Sequence, residues 1–318
     1  MRGLAPGQFK SGRPSATSFK SATPVASTSV QRLYRGFLVQ VRSNIIQTGA
    51  ASRVGLSQAL ALMPSTSIAE AILKQWGASV VPVPTSQKEE SDWLATLDGF
   101  RLLIEEKTKL DNPASAAERT EALKTERVHG STTPLRPNNR ISGVIGKAAK
   151  QLRSTGADVQ HDARVIWFTS VGFDREAKDH QAFNTLYGAT KTFDLDRSES
   201  LQDCFFFYNS EFYRHHDVDG AYLVVADGGT ATVRLCLNPF SERWMALRDS
   251  SFAKKLVTGL VDPVAREAAA EAMLVDGGVD RSNRSAVLSY LSAKYGMPML
   301  QNMDMNMASA VVAVPLER

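Results

Sequence analysis

Three side chains within sixteen residues have the types and spacing to hold a divalent cation: Asp92, Glu105 and Lys107. They flank Asp98-Gly99, a dipeptide suited to a two-residue hairpin loop because both central positions of that turn need positive φ. With Asp98 and Gly99 as the loop, Leu97 faces Phe100. Counting outward then sets Leu94 against Leu103, Trp93 against Ile104 and Asp92 against Glu105. Opposed residues of a hairpin have Cβ atoms about 5 Å apart, and two carboxylates that close repel unless a cation or a proton lies between them. Side chains alternate along a strand, so Lys107 shares the face of Glu105 and Glu106 takes the other.

The surrounding elements must hold this hairpin in place. Ser67, Ile68, Ala69 and Glu70 form a capping-box pattern that opens a helix through Ile72 and Leu73 to Trp76, with Gly77 as its stop. Val80, Val81 and Val83 predict a strand, which Pro82 and Pro84 confine to a sheet edge. The run Leu102, Leu103, Ile104 places the second hairpin strand in the middle of a sheet. Residues 111–127 predict an exposed helix and 130–139 a Ser/Thr/Pro/Asn loop, together an insertion. Ile141, Val144, Ile145, Ala148, Ala149 and Leu152 then recur at helical spacing up to Gly156, and Val165 to Phe168 predict a buried strand.

Further on, the sequence predicts a helix near Ala177 to Leu186, an aromatic strand at Cys204 to Tyr208 and a hairpin around Asp227, Gly228 and Gly229. Asp262 and Pro263 open a helix, and Ser285 to Lys294 form another that ends at Gly296. The expected fold is α/β, a mixed central sheet flanked by helices that continues into the C-terminal half. Residues 51–170 hold the core and 171–318 continue the same domain.

The chain has 318 residues and a formal net charge of +4, which permits nucleic-acid binding without demanding it. Its first acid is Glu70, after eight basic residues, so residues 1–50 read as a basic, disordered arm. The same pattern suits an organellar transit peptide, an alternative to the cytoplasmic location expected otherwise. No run of about 18 apolar residues predicts a membrane helix. Cys204 and Cys236 lie in apolar runs and are expected to be buried, reduced thiols.

Residues 127–157 hold no acid and carry Arg136, Arg140, Lys147, Lys150 and Arg153, the expected phosphate track. His215, His216 and Asp217 lack the helical spacing of a zinc site and read as a loop or helix end. A different enzyme chemistry around His215, His216 and Asp219 stays open as an alternative. Met297, Met299, Met303, Met305 and Met307 precede the apolar run 308–314 and are expected to pack in a core or a partner groove.

An acid on one strand and Glu-x-Lys on the next, in this order of elements, resembles the PD-(D/E)XK nuclease superfamily over about residues 66–170. The motif stands here as Ser91-Asp92 and Glu105-Glu106-Lys107, with serine in place of the usual proline. Glu70 matches the helix acid that many members add to the metal site, and Gln151 lies on what resembles their active-site helix. The Gln-x-x-x-Tyr pattern of one branch is absent, because Thr155 stands where tyrosine would be.

The resemblance implies a restriction-endonuclease-like αβββαβ core and a Mg²⁺ site, with Mn²⁺ as substitute. Asp92, Glu105, Glu70 and the backbone carbonyl of Glu106 would supply its ligands. It also implies Asp92, Glu105, Lys107 and Gln151 as catalytic residues and a nucleic-acid substrate, DNA before RNA; the half after residue 170 is expected to choose the substrate or build a homodimer. The residue types suit that chemistry: hard carboxylate oxygens suit Mg²⁺, which neutralises a phosphodiester and lowers the pKa of an attacking water. A lysine ammonium offsets developing negative charge. The rival expectation is a nucleic-acid-binding or interaction protein that keeps the fold without turnover.

Overall fold

The computed structural model describes residues 52–55, 67–84, 91–125, 128–196, 201–227, 229–303 and 307–313, and the arm expected over 1–50 lies outside them. After strand β1 (Ser52–Gly55) come helix α1 (Ile68–Gln75) and strands β2 (Ser79–Pro82), β3 (Trp93–Leu97) and β4 (Phe100–Lys109). An insertion of α2 (Pro113–Thr125) and β5 (Val128–Pro134) separates these from α3 (Asn139–Gly156) and β6 (Ala163–Ser170). The order helix, three strands, insertion, helix, strand is the one read from the sequence.

Local chemistry explains each piece. The Ser67 hydroxyl accepts the Glu70 N–H at 3.0 Å and caps α1. Asp98 and Gly99 adopt φ of 48° and 82°, the left-handed pair that the turn demands, and the ladder runs from Leu97↔Phe100 to Trp93↔Ile104. β2 pairs only with β3, at the sheet edge where its proline is tolerated, while β4 lies between β3 and β6.

The second half adds α4 (Arg175–Tyr187), β7 (Thr190–Asp194), β8 (Gln202–Phe205), α5 (Glu211–Arg214), β9 (Gly220–Asp227) and β10 (Thr230–Leu237). Short pieces follow: α6 (Trp244–Asp249), α7 (Ser251–Lys254), β11 (Leu260–Val261), α8 (Pro263–Ala268) and β12 (Ala272–Leu274). The described chain closes with α9 (Arg284–Tyr295), β13 (Leu300–Met303) and β14 (Met307–Ala313). The main sheet runs β1-β10-β9-β6-β4-β3-β2, with β11 beside β10, and mixes parallel and antiparallel pairs.

Two expectations are corrected. The sheet does continue through β9 and β10, but β7, β8, β12 and β13 leave it and form a separate four-stranded sheet. The stretch 130–139 is not wholly loop: its first part is β5, which pairs antiparallel with β14. That pairing satisfies backbone groups that a Ser/Thr-rich loop would leave to water, and it gives the segment after Met303 a strand partner. Of the methionines expected in a core, Met297 packs against buried core residues, whereas Met299 and Met307 are exposed.

Two cores sandwich the main sheet. Leu103, Ile145, Leu152, Ile166 and Phe168 pack on the α3 and α4 side. Ile72, Leu73, Leu102, Ile104 and Trp167 pack on the α1 side. Alternation along β4 therefore turns Leu103, Glu105 and Lys107 toward α3, and Leu102, Ile104 and Glu106 toward α1.

Candidate active site

The site lies at the end of the hairpin farthest from its turn. Trp93 is the last paired residue of β3, opposite Ile104, and the Asp92 N–H returns to that same Ile104 carbonyl at 3.1 Å. Two residues of one strand thus share one of the other, an offset of the bulge kind that re-aims a side chain. Asp92 and Glu105 are therefore not the directly paired residues that counting from the turn predicts. The exposed Asp92 carboxylate instead accepts the Glu106 N–H at 2.7 Å.

Glu105 is fully buried. One of its carboxylate oxygens accepts a hydrogen bond from the Lys107 ammonium, and the other has no hydrogen-bond partner among the described residues. Burial pushes its carboxyl up, the Lys107 hydrogen bond pulls it down, and the negative charge of Asp92 pushes it up again, to about 7. Near neutral pH this group is poised between acid and carboxylate.

Helix α3 supplies the roof. Asn138 caps it, its side-chain oxygen accepting the N–H groups of Arg140 and Ile141 at 2.9 and 3.3 Å. Ile141, Ile145, Ala148, Leu152 and Thr155 form its buried stripe. At about 100° per residue Gln151 falls on one margin of that stripe. There its side-chain oxygen accepts from Lys107 Nζ at 3.2 Å. Asp92, Glu105, Lys107 and Gln151 are thus brought together by a strand end, a central strand and a helix.

Other expected site residues lie elsewhere. The Glu106 carboxylate is on the α1 face, where it accepts from the Ser67 hydroxyl, the Ala69 N–H and the Trp93 indole N–H. It anchors the start of α1. Glu70 pairs with Lys74 at 2.7 Å on α1, which covers the opposite face of the sheet from Glu105. Arg153 is held by Asp217 in a two-pronged bond of 2.7 and 3.2 Å. Arg136 lines a cleft of about 440 Å³ near the start of α3, with Ser142, Glu211 and Arg214. Arg140, Lys147 and Lys150 are exposed.

Of the second grouping, His216, Asp217 and Asp219 line one cleft of about 320 Å³ with Arg164 and Arg243, whereas His215 turns to Glu211. His215 ends α5 and lies 3.3 Å from Glu211, and His216 bonds to the Tyr213 carbonyl. The buried Asp219 carboxylate accepts the Arg164 N–H at 2.7 Å and the Ser241 hydroxyl. Among the described residues no three His, Cys, Asp or Glu side chains gather into a metal-binding group, and no helix is long and apolar enough to cross a membrane. No protein-family model, curated protein or solved structure matches the chain.

Two contacts near the site have no local sequence signal. Thr155 Oγ1 accepts the Ser91 N–H at 2.7 Å, both residues being buried. Beyond Lys109, the Asp111 carboxylate accepts from Lys178, from Arg119 at 3.1 Å and from the Phe173 N–H at 2.9 Å. Partial burial pushes its carboxyl up, but these donors prevail and hold it well below the usual carboxylate range. Gly172 makes this approach possible: its φ is +94°, and a Cβ there would meet an Asp111 oxygen at 2.4 Å.

A carboxyl lowered on folding stabilises the native state above its unfolded pKa of about 4, and that contribution fades as pH falls toward the folded value. Asp111→Asn is expected to cost about 2 kcal/mol at pH 7. Thermal unfolding of both proteins should show the gap narrowing below about pH 4. An equal gap at pH 3 and pH 7 would contradict this account.

Proposed function

We propose that the chain is a Mg²⁺-dependent nuclease that hydrolyses phosphodiester bonds in DNA, on a restriction-endonuclease-like αβββαβ core formed by α1, β2, β3, β4, α3 and β6. The observation that carries this reading is a Lys107 ammonium shared between Gln151 and a fully buried Glu105 whose second oxygen has no hydrogen-bond partner among the described residues. An orphaned buried oxygen is costly unless something else satisfies it. A divalent ion held by that oxygen and the exposed Asp92 carboxylate would satisfy it, since Mg²⁺ is usually bound by one or two protein carboxylates and several waters. When bound, the ion would neutralise the scissile phosphate and lower the pKa of the attacking water. Lys107 orients that water and offsets the charge developing on the phosphate, and Gln151 holds the lysine in reach.

The nucleic-acid track narrows to one margin of α3. At helical spacing Arg140 and Lys147 fall on the Gln151 side, whereas Arg153 falls on the other and is already neutralised by Asp217. Neither Arg140 nor Lys147 forms an ion pair among the described residues. Replacing both by Ala should weaken binding to duplex DNA of any sequence and reduce the salt slope of log K by about 2. Arg153→Ala should leave the slope unchanged.

The deciding experiment incubates the protein with supercoiled and linear DNA and with RNA, in Mg²⁺, in Mn²⁺ and with chelator. Cleavage that needs the metal supports the reading. Salt-sensitive binding with no cleavage under any condition would replace it with the non-catalytic binding protein.

A further inference from the structure

We infer that Thr155 is a positioning residue for the metal site, acting on Asp92 through the backbone of Ser91. This rests on Asp92 and Glu105 being the metal-binding pair. Asp92 lies beyond the end of the β3 ladder, where the regular pairing that would fix it has stopped. Four hydrogen bonds take over. Its N–H reaches the Ile104 carbonyl at 3.1 Å, and its carbonyl accepts the Val83 N–H at 3.1 Å. Its carboxylate accepts the Glu106 N–H at 2.7 Å, and the N–H of the preceding Ser91 reaches Thr155 Oγ1 at 2.7 Å.

The first three bonds come from the hairpin and the neighbouring edge strand. Only the fourth comes from α3, the helix that also carries Gln151. Gln151 and Thr155 are four residues apart and so lie one above the other on the helix surface. One bonds Lys107 on β4, and the other bonds the residue before Asp92. A single rigid helix thus sets the lysine and the first acid in one frame. At the same point the Thr155 carbonyl accepts the N–H groups of Asp158 and Val159, so the residue is itself fixed by the helix end.

The bond is buried on both sides: Thr155 and Ser91 are each 3 % exposed. Without the hydroxyl, the Ser91 amide would be a buried donor with no acceptor, and the chain would shift to expose it. Asp92 is the next residue, so the shift moves its carboxylate relative to Glu105. Groups that orient a metal ligand from behind typically change metal affinity by about 10–100-fold when removed.

The test compares wild type, Thr155→Val and Thr155→Ser, using calorimetric titration with Mn²⁺ as the readout that does not depend on activity, beside the Mg²⁺ dependence of cleavage. Thr155→Val keeps the shape and loses the acceptor, and its Mn²⁺ dissociation constant should rise about tenfold. Thr155→Ser keeps the acceptor and should stay within about twofold of wild type. Folding is checked by thermal unfolding. If the valine variant is poorly folded, Thr155→Cys makes the same comparison with a much weaker acceptor. Mn²⁺ affinity unchanged in the folded valine or cysteine variant overturns the positioning role while leaving the metal site intact. A wild-type protein that takes up no Mn²⁺ overturns the metal-site reading itself, and the positioning role with it.

Discussion

Glu105→Gln is expected to abolish metal-dependent cleavage and, in the metal-free protein, to raise the melting temperature above pH 7. Both effects come from one feature, a carboxylate buried at the centre of the sheet with an oxygen that no described residue satisfies. Folding moves its carboxyl from an ordinary value of about 4.3 to about 7. A raised carboxyl pKa means that the native state holds its proton more tightly than the unfolded chain does. Stability is then undiminished at low pH, falls between about pH 4 and pH 7, and levels off above. At about 1.4 kcal/mol per unit the ceiling is about 4 kcal/mol. Glutamine removes the buried charge but leaves Lys107 without its anion, so a net gain of about 2 kcal/mol at pH 8 is the expected outcome.

The same substitution removes an anionic oxygen from the proposed metal site, and hydrolysis should fall by about 10³-fold or more. Melting curves from pH 5 to pH 8.5, paired with cleavage assays, separate the two consequences. A glutamine variant less stable than wild type at pH 8, or one that still cleaves, would show that Glu105 has a different job. A proton also competes with a cation for this oxygen, so metal affinity should rise with pH up to about 7 and flatten beyond.

The parts of this site that were legible in the sequence are those encoded over a few residues. Asp98-Gly99 demands a positive-φ pair and sets the register back to Trp93 and Ile104, as found. Ser67 and Glu70 mark the start of α1, and the apolar repeat from Ile141 marks the face of α3 that meets the sheet. What stayed hidden depends on contacts between distant residues. Thr155 and Ser91 are 64 positions apart, and so are Arg153 and Asp217. Nothing local to Arg153 shows that its charge is already matched. β12 and β13 are short strands whose partners, β8 and β7, lie far back in the chain, so neither has a periodic run long enough to read. The offset at Asp92 is a failure of a different kind: counting pairs from a turn assumes an unbroken ladder, and a single bulge ends that assumption.

Lys107→Met carries the second large effect, and its value lies in separating catalysis from metal binding. Methionine keeps the stem and removes the ammonium that now bonds both Glu105 and Gln151. If Lys107 steadies the attacking water and the developing phosphate charge, kcat should fall about 10²–10³-fold. Metal affinity should not fall with it at high pH, because a cation adjacent to the site has been removed and one Glu105 oxygen freed. At neutral pH the sign changes. The Lys107 bond is what pulls the Glu105 carboxyl down, so its loss moves that carboxyl above about 7 and lets a proton compete harder. The variant should therefore bind Mn²⁺ more weakly than wild type at pH 6.5 and at least as tightly at pH 8.5, with the acid limb of any residual activity displaced to higher pH. A purely structural lysine would lower stability and activity together at both pH values. Cleavage by Lys107→Met within about threefold of wild type at pH 8.5, where an electrostatic group should be worth about 10² or more, would remove Lys107 from the mechanism and leave Asp92 and Glu105 as a metal site without its catalytic partner.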